Sequence, residues 1–159
     1  MNKTIGIEMR TIIIILFLSS FAFAQKITIG TAYQRSELNE SIGLSISPEI
    51  ITFNNRKVIF RLYGSYFLGS NLNYSTIFDS FSRYEIGFES KNTMVTGKSF
   101  FNHMAVGYNF KNYQFAKNDS GWMFSFGLGT RLVETVSITT KYVWNDENGI
   151  RVVLEYDMF

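Results

Sequence analysis

The segments that follow Gln25 alternate apolar and polar residues with a period of two, which is the pattern of a strand with one buried face. In the stretch WMFSFGLGTR, the apolar residues Trp122, Phe124, Phe126 and Leu128 share one face, and small residues and an arginine occupy the other. No segment after Gln25 shows a sustained helical stripe. The alternating runs number eight, so the pattern predicts an all-β fold.

The second run changes face part-way along its length. Pro48 interrupts it, and the apolar positions change from even numbers to odd numbers by Ile51 and Phe53. Because proline has no backbone N–H to donate to a neighbouring strand, it marks an edge or an irregular position. We therefore expect a β-bulge near Pro48.

The connections between the runs differ in length, as in a barrel with two unlike ends. Asn54-Asn55 predicts a tight turn, and residues 70–82 and 114–121 form longer polar connections. The medium-length connection at residues 92–98 departs from strict alternation of short and long loops.

The face opposite the aromatic residues indicates which solvent surrounds the barrel. In a water-soluble barrel, strand glycines such as Gly107, Gly127 and Gly129 would face water, where each weakens its strand by about 0.5–1 kcal/mol. An eight-stranded membrane barrel instead has a lumen just wide enough for side chains, so small residues fit beside long charged ones. The sequence therefore predicts an eight-stranded antiparallel up-and-down transmembrane β-barrel with its aromatic face toward lipid.

The predicted lumen contains charged residues of both signs, which can pair. The flanking Arg83 and Lys91 favour an ion-pair network over an acid/base couple for the nearby glutamates. The predicted lumen charge network is Lys57, Arg61, Arg83, Glu85, Glu89, Lys91, His103, Arg131, Lys141, Arg151 and Glu155. The predicted lipid-facing residues are Phe60, Leu62, Phe88, Val106, Phe124, Phe126, Leu128, Ile138 and Leu154.

The N-terminus has the features of an export signal. Lys3 and Arg10 precede TIIIILFLSSFAFA, an apolar run shorter than the ~20 residues that a spanning helix needs. The run ends in the small-residue pattern AFA, which a signal peptidase accepts. We expect a signal peptide at residues 1–24, cleavage after Ala24 and a barrel at residues 25–159, with an uncleaved anchor as the alternative.

The composition excludes several classes of function. The 159 residues carry a net charge of +2 without a basic stripe, so no nucleic-acid partner is expected. The absence of cysteine excludes disulfides, cysteine-based zinc sites and thiol chemistry. The stretch NDENG predicts a turn because it lacks the ligand spacing of a calcium loop, and no glycine-rich phosphate loop is present. We expect no cofactor and no metal.

Catalytic chemistry has little support in the sequence. His103 is the only histidine, and it lies on the charged face. The His-x-Ser pattern of the outer-membrane lipid A deacylases is missing, because Ala105 stands where the serine should be. Asp79-Ser80 matches the Asp-Ser pair of the palmitoyltransferases, and no other residue follows that family. We therefore predict that the protein is not an enzyme, with a lipid A-modifying barrel as the catalytic alternative.

The export signal, the all-β chain and the last strand GIRVVLEYDMF together resemble the small eight-stranded outer-membrane barrels of the OmpA-transmembrane and OmpX type. The signal itself resembles those common in Bacteroidetes. The resemblance implies an outer-membrane location, contact with outer-membrane lipids and assembly by the barrel-insertion machinery, which reads a terminal aromatic strand. Phe159 departs from that pattern, because it shares its face with Arg151 and Glu155.

Three functional hypotheses follow. The first is a barrel with a plugged polar lumen and a structural or surface-interaction role, acting through the loops at residues 70–82 and 114–121. The second is a narrow pore for small solutes that is gated by Arg61, Glu85 and Arg131. The third is a soluble exported β-barrel that binds an apolar ligand.

Overall fold

The computed structural model describes residues 15, 19, 24, 26–53, 57–71, 80–94, 99–114, 118–145 and 148–158. The cleavage prediction, most of the signal peptide, the Asn54-Asn55 turn and Phe159 lie outside the described residues. Among the described residues, no helix has the length and hydropathy needed to cross a membrane.

Eight antiparallel strands form one closed barrel, in which each strand pairs with its neighbours in sequence and β1 pairs with β8. This arrangement confirms the predicted all-β fold and the predicted number of strands. The strands are β1 (Ile27–Ser36), β2 (Asn39–Phe53), β3 (Val58–Asn71), β4 (Ser80–Thr93), β5 (Phe100–Tyr113), β6 (Asp119–Val133), β7 (Val136–Trp144) and β8 (Gly149–Met158).

The barrel has two distinguishable ends. The terminus end carries the start of β1, the end of β8 and the connections at residues 54–57, 94–99 and 134–135. The loop end carries the connections at residues 37–38, 72–79, 114–118 and 145–148. Two of these loops are shorter than predicted, because strand pairing continues to Ser70↔Ser80 and Lys111↔Asp119.

The predicted bulge in β2 is confirmed by the pairing of β2 with β3. The register shifts between Glu49 and Ile51, while both sides of the shift pair regularly with β3. Ile42 is exposed on the outer face before the shift, and Ile51 is exposed after it. The bulge therefore keeps apolar residues on the outside of the barrel although their numbering changes from even to odd.

The two faces of each strand differ in chemistry throughout the barrel. Along β6, the exposed Phe124 and Phe126 alternate with the buried Met123 and Ser125. The inner face is polar and charged in most strands, and the outer face carries exposed aromatic and aliphatic side chains. The barrel therefore has a polar interior and an apolar exterior, which is the reverse of the distribution in a water-soluble protein.

Two inward-facing glycines show why the interior contains small residues. A Cβ atom on Gly43 would lie 2.4 Å from the ring of Phe67, and one on Gly127 would lie 2.3 Å from the backbone oxygen of Thr140. No ordinary side chain fits at either distance. Gly43 leaves space for the ring of Phe67, and Gly127 allows the backbone of β7 to approach closely.

Candidate functional site

The candidate site is the barrel interior, where buried charged side chains form two clusters. The loop-side cluster consists of Gln34, Arg83, Glu85 and Arg151. The terminus-side cluster consists of Arg61, Glu89, Lys91, His103, Glu155 and Asp157. Lys141 is buried as well, and it borders the same interior space as Glu89 and Glu155.

The loop-side cluster is centred on a bidentate ion pair. Arg151 on β8 donates from Nη1 to Glu85 Oε2 at 2.7 Å and from Nη2 to Glu85 Oε1 at 2.6 Å. Arg83 Nε lies 2.9 Å from the same Glu85 Oε1. Paired, charge-assisted contacts of this kind fix the guanidinium in both position and orientation.

Gln34 joins the two arginines of the loop-side cluster. Its Oε1 accepts from Arg151 Nε at 2.9 Å and from Arg83 Nη2 at 2.8 Å. The ring of Phe67 lies against both guanidiniums, 4.6 Å from Arg83 Cζ and 4.5 Å from Arg151 Cζ. Cation–π contact with one ring stabilises two like charges that would otherwise repel each other.

The terminus-side cluster contains two shorter pairs. Lys91 donates a short hydrogen bond to Glu155 Oε2, an oxygen that also accepts from Ser137 Oγ at 3.2 Å. His103 Nε2 lies 2.9 Å from Glu89 Oε2. Each carboxylate therefore has a nitrogen partner of its own.

Arg61 makes looser contacts with the same cluster. Its Nη2 donates to Asp157 Oδ1 at 3.2 Å, and Asp157 Oδ1 also accepts from Thr28 Oγ1 at 2.6 Å. Arg61 Nη1 lies 3.9 Å from Glu89 Oε1 and 4.0 Å from Glu155 Oε1, which is beyond hydrogen-bond distance. Arg61 thus stands among three carboxylates and is bonded to one of them.

A small cavity lies between the two clusters. It measures about 10 Å³ and is bordered by Tyr63, Ser65, Phe67, Lys141 and Glu155 among others. A volume of this size accommodates about one water molecule.

The site offers no arrangement for catalysis by its histidine. His103 has 0% of its surface exposed, and one of its nitrogens is occupied by Glu89. Ala105 is the next inward-facing residue along β5, so no hydroxyl stands at that position. Among the described residues, no group of acidic or histidine side chains could hold a metal ion.

Most of the predicted lumen residues lie inside the barrel, and two do not. Arg61, Arg83, Glu85, Glu89, Lys91, His103, Lys141, Arg151 and Glu155 are all buried. Lys57 is half-buried in the turn before β3, and Arg131 is exposed near the end of β6. Arg131 has the inward parity, but it lies at the register shift beside the short β6–β7 turn.

Sequence reasoning missed several interior residues. Gln34 and Asp157 both lie on the inward parity of their strands, so alternation could have identified them. Glu49 is buried as well, and it continues the odd, inward positions of β2 up to the bulge that follows it, so the same count could have identified it. Phe67 also faces inward, and no sequence signal marks an aromatic ring as the partner of two arginines.

The predicted lipid-facing residues lie on the outer face with one clear departure. Phe60, Phe88, Val106, Phe124, Phe126, Leu128 and Leu154 are exposed, and Ile138 is half-exposed. Leu62 has the outward parity, but only 8% of its surface is exposed. It lies across from the register shift of β2, where Pro48 is also buried, so this part of the outer face is more crowded than regular pairing predicts.

Comparison with known proteins identifies the fold and leaves the family open. No protein-family model matches the chain, and no curated protein matches it. Solved structures do match. The N-terminal β-barrel domain of Pseudomonas aeruginosa OprF has a TM-score of 0.55 and 10% identity, and the alignment covers 85% of this chain and 98% of that one.

Two further structures match along nearly their whole length. The Yersinia pestis outer-membrane protein Ail in a phospholipid bilayer nanodisc has a TM-score of 0.52 and 11% identity, with 84% of this chain and 99% of that chain covered. The outer-membrane enzyme PagL has a TM-score of 0.51 and 10% identity, with 82% and 98% covered. The chain therefore has the fold of eight-stranded outer-membrane barrels, which serves both enzymes and other proteins.

Proposed function

We propose that the protein is an exported outer-membrane β-barrel with a plugged polar lumen, and that it has a structural or surface-interaction role. One observation carries the proposal: charged side chains fill the interior, while the exterior is an apolar belt. Phe88 is 59% exposed and Phe124 is 53% exposed on that belt. Apolar side chains in this density face lipid or a partner, since a monomer in water rarely exposes them together.

The closed sheet supports the same proposal. Within hydrocarbon, each unpaired backbone N–H or C=O costs several kcal/mol, so a sheet enters a membrane only when no edge is left open. Here the pairing of β1 with β8 closes the sheet along ten residue pairs. The proposal includes removal of a signal peptide at Ala24, contact with outer-membrane lipids and assembly by the barrel-insertion machinery. The loops that follow β3 and β5 would face the cell exterior.

The location is tested by membrane fractionation and by gel mobility. The mature protein should partition with outer membranes, and it should migrate differently on unheated and heated gels, because a closed barrel resists detergent unfolding. A mature protein that stays monodisperse in buffer without detergent would overturn the membrane proposal and favour the soluble barrel.

A narrow pore is the second candidate, and the loose contacts of Arg61 favour it. Arg61 Nη1 has no hydrogen bond within the terminus-side cluster, so this end of the plug is the more easily rearranged one. Planar-bilayer recordings separate the two candidates. The plugged lumen predicts no steady conductance, and steady unitary channels would favour the pore.

We propose no enzymatic activity. The burial of His103 and the presence of Ala105 on the same face of β5 leave no accessible nucleophile beside the histidine. Incubation of the reconstituted protein with lipid A, followed by mass spectrometry of the lipid, should show unchanged acylation. Any gain or loss of an acyl chain would contradict this part of the proposal.

A further inference from the structure

The two charged clusters are separated along the barrel by inward positions that carry no charge. On β4, Gly87 lies between Glu85 of the loop-side cluster and Glu89 of the terminus-side cluster. On β8, Val153 likewise lies between one residue of each cluster. Apolar side chains pack at or beside these positions, and we call them the uncharged layer: Ala32, Tyr63, Ala105, Met123, Val143 and Val153.

Tyr63 is the largest side chain of the uncharged layer. It pairs with Gly87 on β4, and Gly107 on β5 and Met123 on β6 continue the same row across the sheet. A Cβ atom on Gly87 would lie 2.9 Å from Tyr63 Cε1, and one on Gly107 would collide with Tyr63 Oη. The tyrosine therefore lies over two glycines and reaches from β3 to β5.

The Tyr63 ring packs against apolar side chains of other strands. Met123 and Val143 are buried in contact with it. On β1 and β8, Ala32 and Val153 pair directly, and both border the same small cavity as Tyr63. The uncharged layer thus takes its side chains from six of the eight strands.

An apolar layer opposes the passage of ions more strongly than a cluster of paired charges does. Charged side chains can replace part of the hydration shell of an ion, and they line many selective pores for that reason. Apolar side chains offer no such contacts, so an ion that crosses them loses hydration without compensation. The main barrier to ions should therefore lie where the lumen is uncharged.

The small cavity beside Tyr63 shows where a path through this layer would open. It is bordered by Arg151 of the loop-side cluster and by Glu89 and Glu155 of the terminus-side cluster. Its volume of about 10 Å³ accommodates about one water molecule, which is too little for a hydrated ion. Removal of the Tyr63 ring would enlarge the cavity at a point where it already touches both clusters.

From these observations we infer that the uncharged layer, with Tyr63 as its main side chain, is the barrier to ion passage through the lumen. The ion pairs on either side of the layer are not that barrier. The inference rests on the proposed plugged lumen, and it names the side chain that closes it. It differs from the pore hypothesis, in which charged residues such as Arg61 form the gate.

The test is planar-bilayer recording of the full mature protein and of variants whose assembly is verified by heat-modifiable gel mobility. The unmodified protein should show no steady conductance. Tyr63→Ser should produce steady unitary conductance, because it removes the ring and leaves a hydroxyl, and polar cavities hold water whereas apolar ones stay dry. Phe101→Ser is the matched control, because Phe101 is also a buried ring over a glycine, Gly129, but lies on the terminus side of the layer. It should show no steady conductance.

Two further variants separate the ring from the charges. Tyr63→Phe keeps the ring and Arg61→Met removes a loosely held charge, so neither should conduct. If Tyr63→Ser does not assemble, Met123→Ser opens the same layer from the other end of the Tyr63 row and should conduct instead.

The outcomes distinguish the inference from the proposed function. An assembled layer variant without conductance, equal conductance of Tyr63→Ser and Phe101→Ser, or conductance of Arg61→Met would overturn the inference and leave the plugged lumen of the unmodified protein intact. Steady channels in the unmodified protein would overturn the plugged lumen itself.

Discussion

The two charged clusters of the lumen differ in how closely one arginine of each is held by carboxylates. In the loop-side cluster, Arg151 and Glu85 share two hydrogen bonds of 2.6 and 2.7 Å, and Phe67 packs against two guanidiniums. In the terminus-side cluster, Arg61 has one hydrogen bond to a carboxylate, at 3.2 Å, and two longer approaches. Arg61 and Arg151 are both 2% exposed, so the difference between these two arginines lies in the geometry of their contacts.

This difference indicates that the charged side chains of the lumen are held more closely toward the loop end than toward the terminus end. A buried charge is costly unless its partners are well placed, and the loop-side cluster meets that condition with bidentate contacts. The terminus-side cluster spreads Arg61 over three carboxylates that each have another partner. Substitutions should therefore affect the two ends unequally, and the following experiments test that comparison.

Replacement of Arg151 by methionine should have the largest effect. It leaves Glu85 and Gln34 buried without their main donor, and breaking a buried pair by removing one partner costs about 3–5 kcal/mol. Urea unfolding of the protein reconstituted in lipid vesicles measures the loss. Arg35→Met is the matched control, because Arg35 is exposed on β1. Equal stability of the two variants would contradict the claim that the contacts of Arg151 in the loop-side cluster stabilise the barrel.

An arginine on the outer face should be nearly as damaging, because the charged clusters that could pair with it lie inside the barrel. Phe126→Arg places a charge on the belt predicted to face lipid, which costs about 2–4 kcal/mol at the membrane midplane. Phe126→Leu keeps the position apolar and serves as the control. The yield of heat-modifiable barrel should fall for arginine alone, and equal yields would argue against lipid on that face.

Gly43→Ala should disturb the loop-side cluster indirectly. The added Cβ would lie 2.4 Å from the ring of Phe67, which must then move from its place against Arg83 and Arg151. Overpacking of a filled interior costs about 1–3 kcal/mol. Gly64→Ala, at an outward position, should be neutral in the same unfolding assay. A neutral Gly43→Ala would show that Phe67 does not hold the two arginines.

Arg61→Met should have the smallest effect of the four. Its acceptor Asp157 keeps the hydrogen bond from Thr28, and Glu155 keeps Lys91, so the expected loss is about 1–2 kcal/mol. The comparison with Arg151→Met under identical conditions is the decisive measurement. If Arg61→Met proves as destabilising as Arg151→Met, then the two arginines contribute equally to the free energy of unfolding and the difference in contact geometry has no energetic consequence.

Much of the fold follows from alternation alone. The period of two along WMFSFGLGTR separates Phe124 and Phe126 from Met123 and Ser125, and the structure keeps that separation along β6. The odd and even count also placed Arg83 and Glu85 on the inner face. It failed at Arg131 and Leu62, because a strand end and a neighbouring bulge change the exposure of a residue without changing its parity.

The partners inside the barrel could not be predicted in this way. Arg151 and Glu85 are separated by 66 positions, and their strands, β8 and β4, are not neighbours in the sheet. Sequence periodicity reports the direction of a side chain and carries no information about what stands across the lumen. The choice of Glu85 over Glu89 as the partner of Arg151 needs the register of every strand in between.

The sequence by itself thus determined the fold class, the strand number and the two faces, because period-two alternation is a local property of each strand. Only the tertiary structure decided that the loop-side charges are held by bidentate pairing around Phe67 and that Arg61 is loosely bound. Closing eight strands into a narrow barrel brings side chains from opposite walls together, and that contact exists in no single strand.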